Sequence, residues 1–166
     1  MNSAIKNLKK RRFDSPAQEV YLSLWRTYDR LRAIEDSLLI EHDLTAQQYN
    51  VLRLLQSAHP NPVPTLQISS RLVSRAPDVT RMLDKLQEKG WVARLRSEED
   101  RRAVLIAITP SGIELLKSLA EPIKKMHLSQ VGHMSQHDMQ VLCELLARVR
   151  APHEPESSPW SENAEG

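Results

Sequence analysis

The sequence predicts a mainly α-helical protein with a small β wing, in which a winged helix-turn-helix is flanked by helices at both ends of the chain. Three observations predict this fold. The 166 residues include only four glycines, three tryptophans, three tyrosines and one phenylalanine, which favours helix over sheet. Apolar residues recur at helical spacing through most of the chain. Two short apolar segments separated by a charged turn, near residues 91–108, are typical of a hairpin.

The hairpin is predicted from the segments Trp91–Leu95 and Val104–Ile108. The turn between them has no Asn-Gly or Asp-Gly pair, so a long loop is expected. That turn ends in Asp100, Arg101 and Arg102. Arginines at the tip of a hairpin can reach a phosphate backbone or a minor groove.

Two short helices precede the hairpin. The segment Thr65–Leu72 carries apolar residues at helical spacing, and a second helix is predicted over Pro77–Lys89, with proline at its first position and Gly90 just past its end. Its apolar residues share one face. A different face carries a basic row, each residue four from the last: Arg81, Lys85 and Lys89. Two helices joined by a tight turn form a helix-turn-helix, and the hairpin makes it a winged one.

The helices on either side carry more apolar surface than one small domain can bury. Ser15-Pro16 is expected to open a helix reaching about Glu41. Thr45 should cap the next helix, with Gln48 completing a capping box. Pro110 and Ser135 should start two further helices, the first of which contains Pro122, where a kink or a split is expected. Packing against a second copy would bury the surplus, so we expect a homodimer. Its two copies of the basic helix Pro77–Lys89, the recognition helices, would lie about 34 Å apart and would match a pseudo-palindromic DNA site.

Charge and composition divide the chain further. Residues 1–14 form a basic arm expected to be flexible, residues 15–150 a single domain, and residues 151–166 an acidic tail expected to be disordered. Within the domain, residues 45–109 are predicted as a DNA-binding lobe, between helical dimerisation regions 15–44 and 110–150. No apolar run is long enough for a membrane span, and the single cysteine suits a cytoplasmic protein. Nothing resembles a phosphate loop, a dinucleotide fingerprint or a nucleophile elbow, so neither an enzyme nor a cofactor is predicted.

One stretch carries a family resemblance. The run D-V-T-R-M-L-D-K-L-Q-E-K-G-W-V at residues 78–92, followed by D-R-R at 100–102 and A-I-T-P-S-G at 107–112, resembles the multiple-antibiotic-resistance regulator (MarR) family of bacterial repressors. The resemblance implies a dimeric winged-helix protein that binds double-stranded DNA, usually represses transcription, and is often released by a small molecule.

Candidate DNA contacts lie in the turn, on the recognition helix and in the wing. Asp78 is expected either to cap the helix or to accept from a cytosine amino group, and Arg81 either to read guanine or to contact phosphate. The resemblance implies that Asp100 braces the wing through a salt bridge and that Arg102 enters the minor groove, with Arg101 as the other candidate. The predicted DNA-binding residues are Arg75, Ala76, Pro77, Asp78, Thr80, Arg81, Lys85, Arg101 and Arg102.

Aromatic residues of the first two predicted helices suggest an effector pocket. Trp25, Tyr28 and Tyr49, with Arg32, would suit an aromatic or phenolic ligand, and in similar proteins such ligands bind between the dimer helices and the DNA-binding part; core and dimer packing is the alternative role for these rings. Cys143 is expected to be a buried structural thiol. No metal site is predicted. A metal-responsive regulator and a winged-helix protein-interaction module remain the alternative functions.

Overall fold

A computed structural model of the protein describes residues 13–72, 78–96 and 103–154. The chain divides into two compact units, residues 1–35 and 36–166. The predicted fold class, mainly α with a small β wing, is confirmed. The described elements are α1 (Pro16–Ile40), α2 (Ala46–Ala58), β1 (Val63–Pro64), α3 (Thr65–Arg71), α4 (Val79–Glu88), β2 (Val92–Arg96), β3 (Val104–Ile108), α5 (Pro110–Val131), α6 (Gln136–Arg150) and the 3-10 turn Ala151–His153.

The first unit consists of most of α1 and the residues before it. The helix begins as predicted, because the hydroxyl of Ser15 accepts a hydrogen bond from the backbone N–H of Gln18 at 3.1 Å. Several large apolar side chains of this helix are exposed: Val20, Tyr21, Leu22, Trp25, Tyr28 and Ile34. This surface is therefore available to a partner.

The second unit is built on a three-stranded antiparallel sheet in the order β1-β3-β2. Strands β2 and β3 pair from Val92 opposite Ile108 to Arg96 opposite Val104, and β1 adds to the other edge of β3. The core contains side chains from the end of α1 to α5: Leu39, Leu44, Val51, Leu52, Leu55, Val63, Ile68, Leu72, Met82, Leu83, Leu86, Val92, Ile106, Ile108, Leu116, Leu119, Ile123 and Met126. The sheet and the helix-turn-helix thus share one core, which fixes their relative position.

Local capping signals locate the helix starts accurately. Thr45 and Gln48 form the predicted capping box of α2, and each accepts a hydrogen bond from the backbone N–H of the other. Ser135 caps α6 by accepting from the N–H of Asp138, and Thr109 caps α5 by accepting from the N–H of Gly112. These bonds satisfy N–H groups that have no partner within the helix.

Two outcomes concern the C-terminal helices. Of the two alternatives predicted at Pro122, the split is wrong, because this residue lies within one continuous helix α5. The prediction that Cys143 is buried is wrong, because its side chain is exposed on α6. No residue of α6 is buried, and Val141, Leu142, Leu145 and Val149 are exposed. The apolar face of α6 therefore stays exposed in the part of the chain that the structure describes. Among the described residues, no helix is both long and apolar enough to cross a membrane.

Candidate nucleic-acid interface

The recognition helix α4 begins at Val79, two residues later than predicted. Asp78 is the N-cap residue, and its carboxylate accepts a hydrogen bond from the backbone N–H of Arg81 at 2.9 Å. Of its two predicted roles, Asp78 therefore fills the capping role. An acidic cap also suits the positive end of the helix dipole. Pro77, predicted as the first helical residue, lies outside the described residues.

The predicted division of α4 into an apolar and a polar face is confirmed. Met82, Leu83 and Leu86 are buried in the core. Thr80, Arg81 and Lys85 are exposed. Within the described part of the chain, neither Arg81 nor Lys85 forms an ion pair. The core contacts hold the helix from one side, so that its free basic side chains are presented on the other.

A cationic concavity lies along one flank of α4. Its volume is about 330 Å³, and its lining comes from the first turn of α2 and from α4: Thr45, Gln47, Gln48, Asp78, Arg81, Met82 and Lys85. Gln47 lines this concavity together with Arg81 and Lys85, although no sequence pattern indicates a functional role for it. Arg81 and Lys85 bring two positive charges to this flank against the one carboxylate of Asp78, and the net positive charge suits a polyanion such as the phosphate backbone.

A second concavity, of about 510 Å³, lies along the other flank of α4. Its lining comes from β1, α3, α4, β2 and the start of β3: Pro64, Thr65, Leu66, Thr80, Asp84, Arg94, Ala103 and Val104. The guanidinium of Arg94 pairs with the carboxylate of Asp84, with 2.5 Å between Nη1 and Oδ1. Its other terminal nitrogen lies 3.5 Å from the carbonyl oxygen of Thr80. Arg94 therefore links the wing strand β2 to the recognition helix, a role that the sequence analysis missed.

Lys89, the last residue of the predicted basic row, has a different role. Its ammonium pairs with the carboxylate of Asp43 at 2.5 Å and also donates to the backbone carbonyl of Asp43. It lies 4.9 Å from the centre of the Trp91 ring, within the range of a cation–π contact. Asp43 has a φ of 54°, in the left-handed region. Lys89 thus ties the end of the recognition helix to the turn that follows α1.

The base of the wing is closely joined to the start of α5. Gly90, whose φ is 72°, ends the recognition helix in the left-handed conformation expected of a glycine there. Its carbonyl oxygen accepts hydrogen bonds from the hydroxyls of Thr109 at 2.7 Å and Ser111 at 2.8 Å. The carbonyl of Trp91 accepts from the N–H of Thr109 at 3.0 Å. The T-P-S-G motif therefore fixes the point where the wing leaves the helices.

Six predicted site residues lie outside the described residues: Arg75, Ala76, Pro77, Asp100, Arg101 and Arg102. Their assignments as turn and wing contacts stay predictions. The described strands β2 and β3 lead into the wing loop on both sides, so the hairpin itself is confirmed.

The four residues predicted to line an effector pocket do not belong to one compact unit, because Trp25, Tyr28 and Arg32 lie in the first unit and Tyr49 in the second. Trp25 and Tyr28 are exposed on α1, and Arg32 donates a hydrogen bond to the Tyr28 hydroxyl at 3.0 Å, with its guanidinium 5.9 Å from the ring centre. Tyr49 belongs to the second unit, where it is partly buried against the core. Among the described residues, no group of three or more His, Cys, Asp or Glu side chains is placed to hold a metal ion.

A core-anchored basic helix beside a short antiparallel wing defines a winged helix-turn-helix, the class of fold that presents a helix to the major groove of DNA. The MarR family model matches residues 44–104. The crystal structure of a MarR transcription factor from Planctomyces limnophilus is 50% identical, with a TM-score of 0.66, covering 81% of this chain and 98% of its own. The chain therefore belongs to the MarR family of DNA-binding transcription regulators.

More distant structures share the fold. A mutant MarR from E. coli, solved with operator DNA, is 23% identical with a TM-score of 0.74, and the match covers 84% of this chain and 99% of that one. Bordetella bronchiseptica BpsR, whose DNA binding is regulated by 6-hydroxynicotinic acid, is 23% identical with a TM-score of 0.70 over 79% of this chain and 98% of its own.

Proposed function

We propose that this protein is a homodimeric repressor that recognises a pseudo-palindromic operator through residues 45–109, with residues 15–44 and 110–150 forming the dimer. The observation that carries the proposal is the exposed side of α4, where Thr80, Arg81 and Lys85 are exposed opposite the buried Met82, Leu83 and Leu86. A helix held in this way can enter the major groove without rearrangement of its own core.

The recognition helix is proposed to supply both base and phosphate contacts. The hydroxyl of Thr80 suits a base edge or a phosphate, and the guanidinium of Arg81 suits the O6 and N7 atoms of guanine. Lys85 is proposed as a phosphate contact. Arg75 in the turn and Arg102 in the wing are proposed to extend these contacts, with Arg101 as the alternative and Asp100 bracing the wing, as in similar proteins.

Homodimer formation is supported by apolar surface that the single chain leaves exposed. Helix α6 has no buried residue and exposes Val141, Leu142, Leu145 and Val149. In the first unit, Trp25 is 60% exposed and Tyr21 is 62% exposed. Surfaces of this composition are typical of protein–protein interfaces. A two-fold dimer would bury them and would place two copies of α4 on one face for an inverted repeat.

A response to an aromatic acid is proposed for the exposed rings of α1. Trp25 and Tyr28 have exposed rings on which an aromatic ligand could stack, and Arg32 is proposed to bind its carboxylate. The regulation of BpsR by 6-hydroxynicotinic acid supports this ligand class. Binding that favours one spacing of the two recognition helices would lower operator affinity without touching a DNA contact.

The proposal is tested by selecting bound fragments from a random duplex library with the full-length protein and sequencing them. An inverted repeat with half-sites about one helical turn apart is the expected result. Affinity for the selected duplex is then measured against salt concentration. Phosphate contacts predict a steep fall, with a slope of about −0.9 per phosphate neutralised.

A folded protein that enriches no sequence would contradict the proposal. A shallow salt dependence of whatever binding is observed would also contradict it, and would favour a winged-helix protein-interaction module. The effector is tested separately, by adding aromatic carboxylic acids to the complex and measuring the release of DNA.

A further inference from the structure

The two flanks of the recognition helix differ in their charge. The cationic concavity contains Arg81, Lys85 and the capping carboxylate of Asp78, so its described lining keeps a net positive charge. Neither Arg81 nor Lys85 forms an ion pair in the described part of the chain. In the second concavity, the charged residues of the described lining are Asp84 and Arg94, and they neutralise each other in an ion pair of 2.5 Å. That flank therefore offers no free positive charge from its described residues, and it is poorly suited to a phosphate.

The same flank carries an apolar side chain that is exposed to an unusual degree. Leu66 is 85% exposed, more than any other large hydrophobic residue that the structure describes. It lies in the first turn of α3, and its position is fixed on both sides. The hydroxyl of Thr65 donates to the carbonyl of Val104 at 3.1 Å, and Ile68 is fully buried in the core. Leu66 is thus held in solvent by its neighbours.

The concavity that Leu66 lines also contains Thr80, which is proposed to contact DNA. The leucine is therefore continuous with the proposed DNA surface. The apolar group that B-DNA presents in its major groove is the 5-methyl group of thymine. Among the described residues of this concavity no unpaired cation lies beside the leucine, and an exposed leucine in such surroundings is suited to that methyl group and unsuited to the phosphates.

We propose that Leu66, beside Thr80, is a specificity-determining residue that recognises the 5-methyl group of a thymine in each half-site. This inference rests on the proposed function, because it requires α4 to lie in the major groove. It assigns base readout to the first helix of the helix-turn-helix as well as to the second. It also assigns different tasks to the two flanks, with phosphate bound on the cationic side and a methyl group on the other.

The experiment is a uracil scan of the selected operator with the full-length protein. Each thymine of one half-site is replaced in turn by uracil, which removes only the methyl group and leaves the hydrogen-bonding edge unchanged. For the unmodified protein, replacement at one position should weaken binding about fourfold, the effect of burying one methyl group. Placing 5-methylcytosine, paired with guanine, at that position should bind more tightly than unmethylated cytosine.

Leu66→Ala is the matched variant, because a residue so exposed can be shortened without a cavity in the core. This variant should bind thymine and uracil operators equally. Arg53→Ala, at an exposed position of α2 outside the proposed DNA contacts and the proposed dimer helices, is the control and should keep the full uracil effect. Thr80→Ser, which keeps the hydroxyl and removes the threonine methyl group, should retain most of it.

Two results would overturn the inference while leaving the proposed function intact. One is a uracil scan that is flat for the unmodified protein on an operator that it binds specifically. The other is an undiminished uracil effect in Leu66→Ala. Failure to select any operator would overturn the proposed function and this inference together.

Discussion

Replacing Gly112 with alanine should destabilise the protein, although alanine is the better helix former. Gly112 is buried in the first turn of α5. An added Cβ would lie 2.4 Å from the carbonyl oxygen of Trp91 and 2.9 Å from Cγ1 of Ile108, whereas real Cβ atoms essentially never approach within 3.0 Å. The closer atom belongs to the backbone, and the N–H of Thr109 holds that carbonyl at 3.0 Å. Relief therefore requires the helix and the base of the wing to move apart.

The magnitude follows from two opposing effects. Overpacking against backbone costs about 3 kcal/mol, the upper end of the usual range. Alanine offsets about 1 kcal/mol through its helix propensity. The net loss is about 2 kcal/mol, which lowers the melting temperature by roughly 4–8 °C in a chain of this size.

The assay is urea denaturation followed by circular dichroism, at one fixed protein concentration because of the proposed dimer. Ser118→Ala, at an exposed position of the same helix, removes the hydrogen bond from the Ser118 hydroxyl to the carbonyl of Leu115 and improves helix propensity, so it should be close to neutral. If Gly112→Ala unfolds at the same urea concentration as the unmodified protein, or at a higher one, the close approach to Trp91 does not constrain this residue and the reasoning is refuted.

Three further predictions concern the interface. Arg102→Ala should weaken binding to all DNA sequences while the protein remains dimeric, as measured by fluorescence anisotropy and sedimentation; unchanged affinity would remove the wing from the interface. Arg81→Ala should cost about 1–3 kcal/mol of operator affinity and relax the base preference at one position. Arg53→Ala, at an exposed arginine of α2, is its control; an equal loss on every sequence would reduce Arg81 to a phosphate contact. A double-mutant cycle with Asp84→Ala and Arg94→Ala should give a coupling of about 0.5–1 kcal/mol in unfolding free energy, since both side chains are partly exposed and screened. Additive effects within error would argue against the ion pair.

The elements of the fold could be predicted because their signals are local. The capping box of Thr45 and Gln48, the cap of Ser135 and the left-handed Gly90 each depend on residues within one helical turn. Two local signals indicate different starts for α4, because Pro77 favours the first helical position and Asp78 favours the N-cap position. The carboxylate of Asp78 bonds to the helix N–H of Arg81, and the helix therefore starts one residue after the aspartate.

The features that the sequence analysis missed depend on contacts between distant residues. Lys89 and Asp43 are 46 positions apart, so helical periodicity placed Lys89 in the basic row and gave no sign of its partner. Arg94 falls within the predicted strand Trp91–Leu95, and the pattern of a strand does not reveal contacts with another element. Leu66 fits the apolar pattern of α3. Only the structure shows that Ile68 packs into the core while Leu66 stays in solvent.

The contact between Lys89 and Asp43 bears on where the DNA-binding lobe can be cut from the rest of the chain. The cap at Thr45 suggests a natural boundary, yet a fragment starting there would lose Asp43 and leave the ammonium of Lys89 without its carboxylate and carbonyl partners. It would also lose Leu39 and Leu44, both buried in the core. A transplantable lobe therefore has to begin within the last turns of α1. Any chimera that exchanges this lobe between related regulators has to carry both members of the pair together.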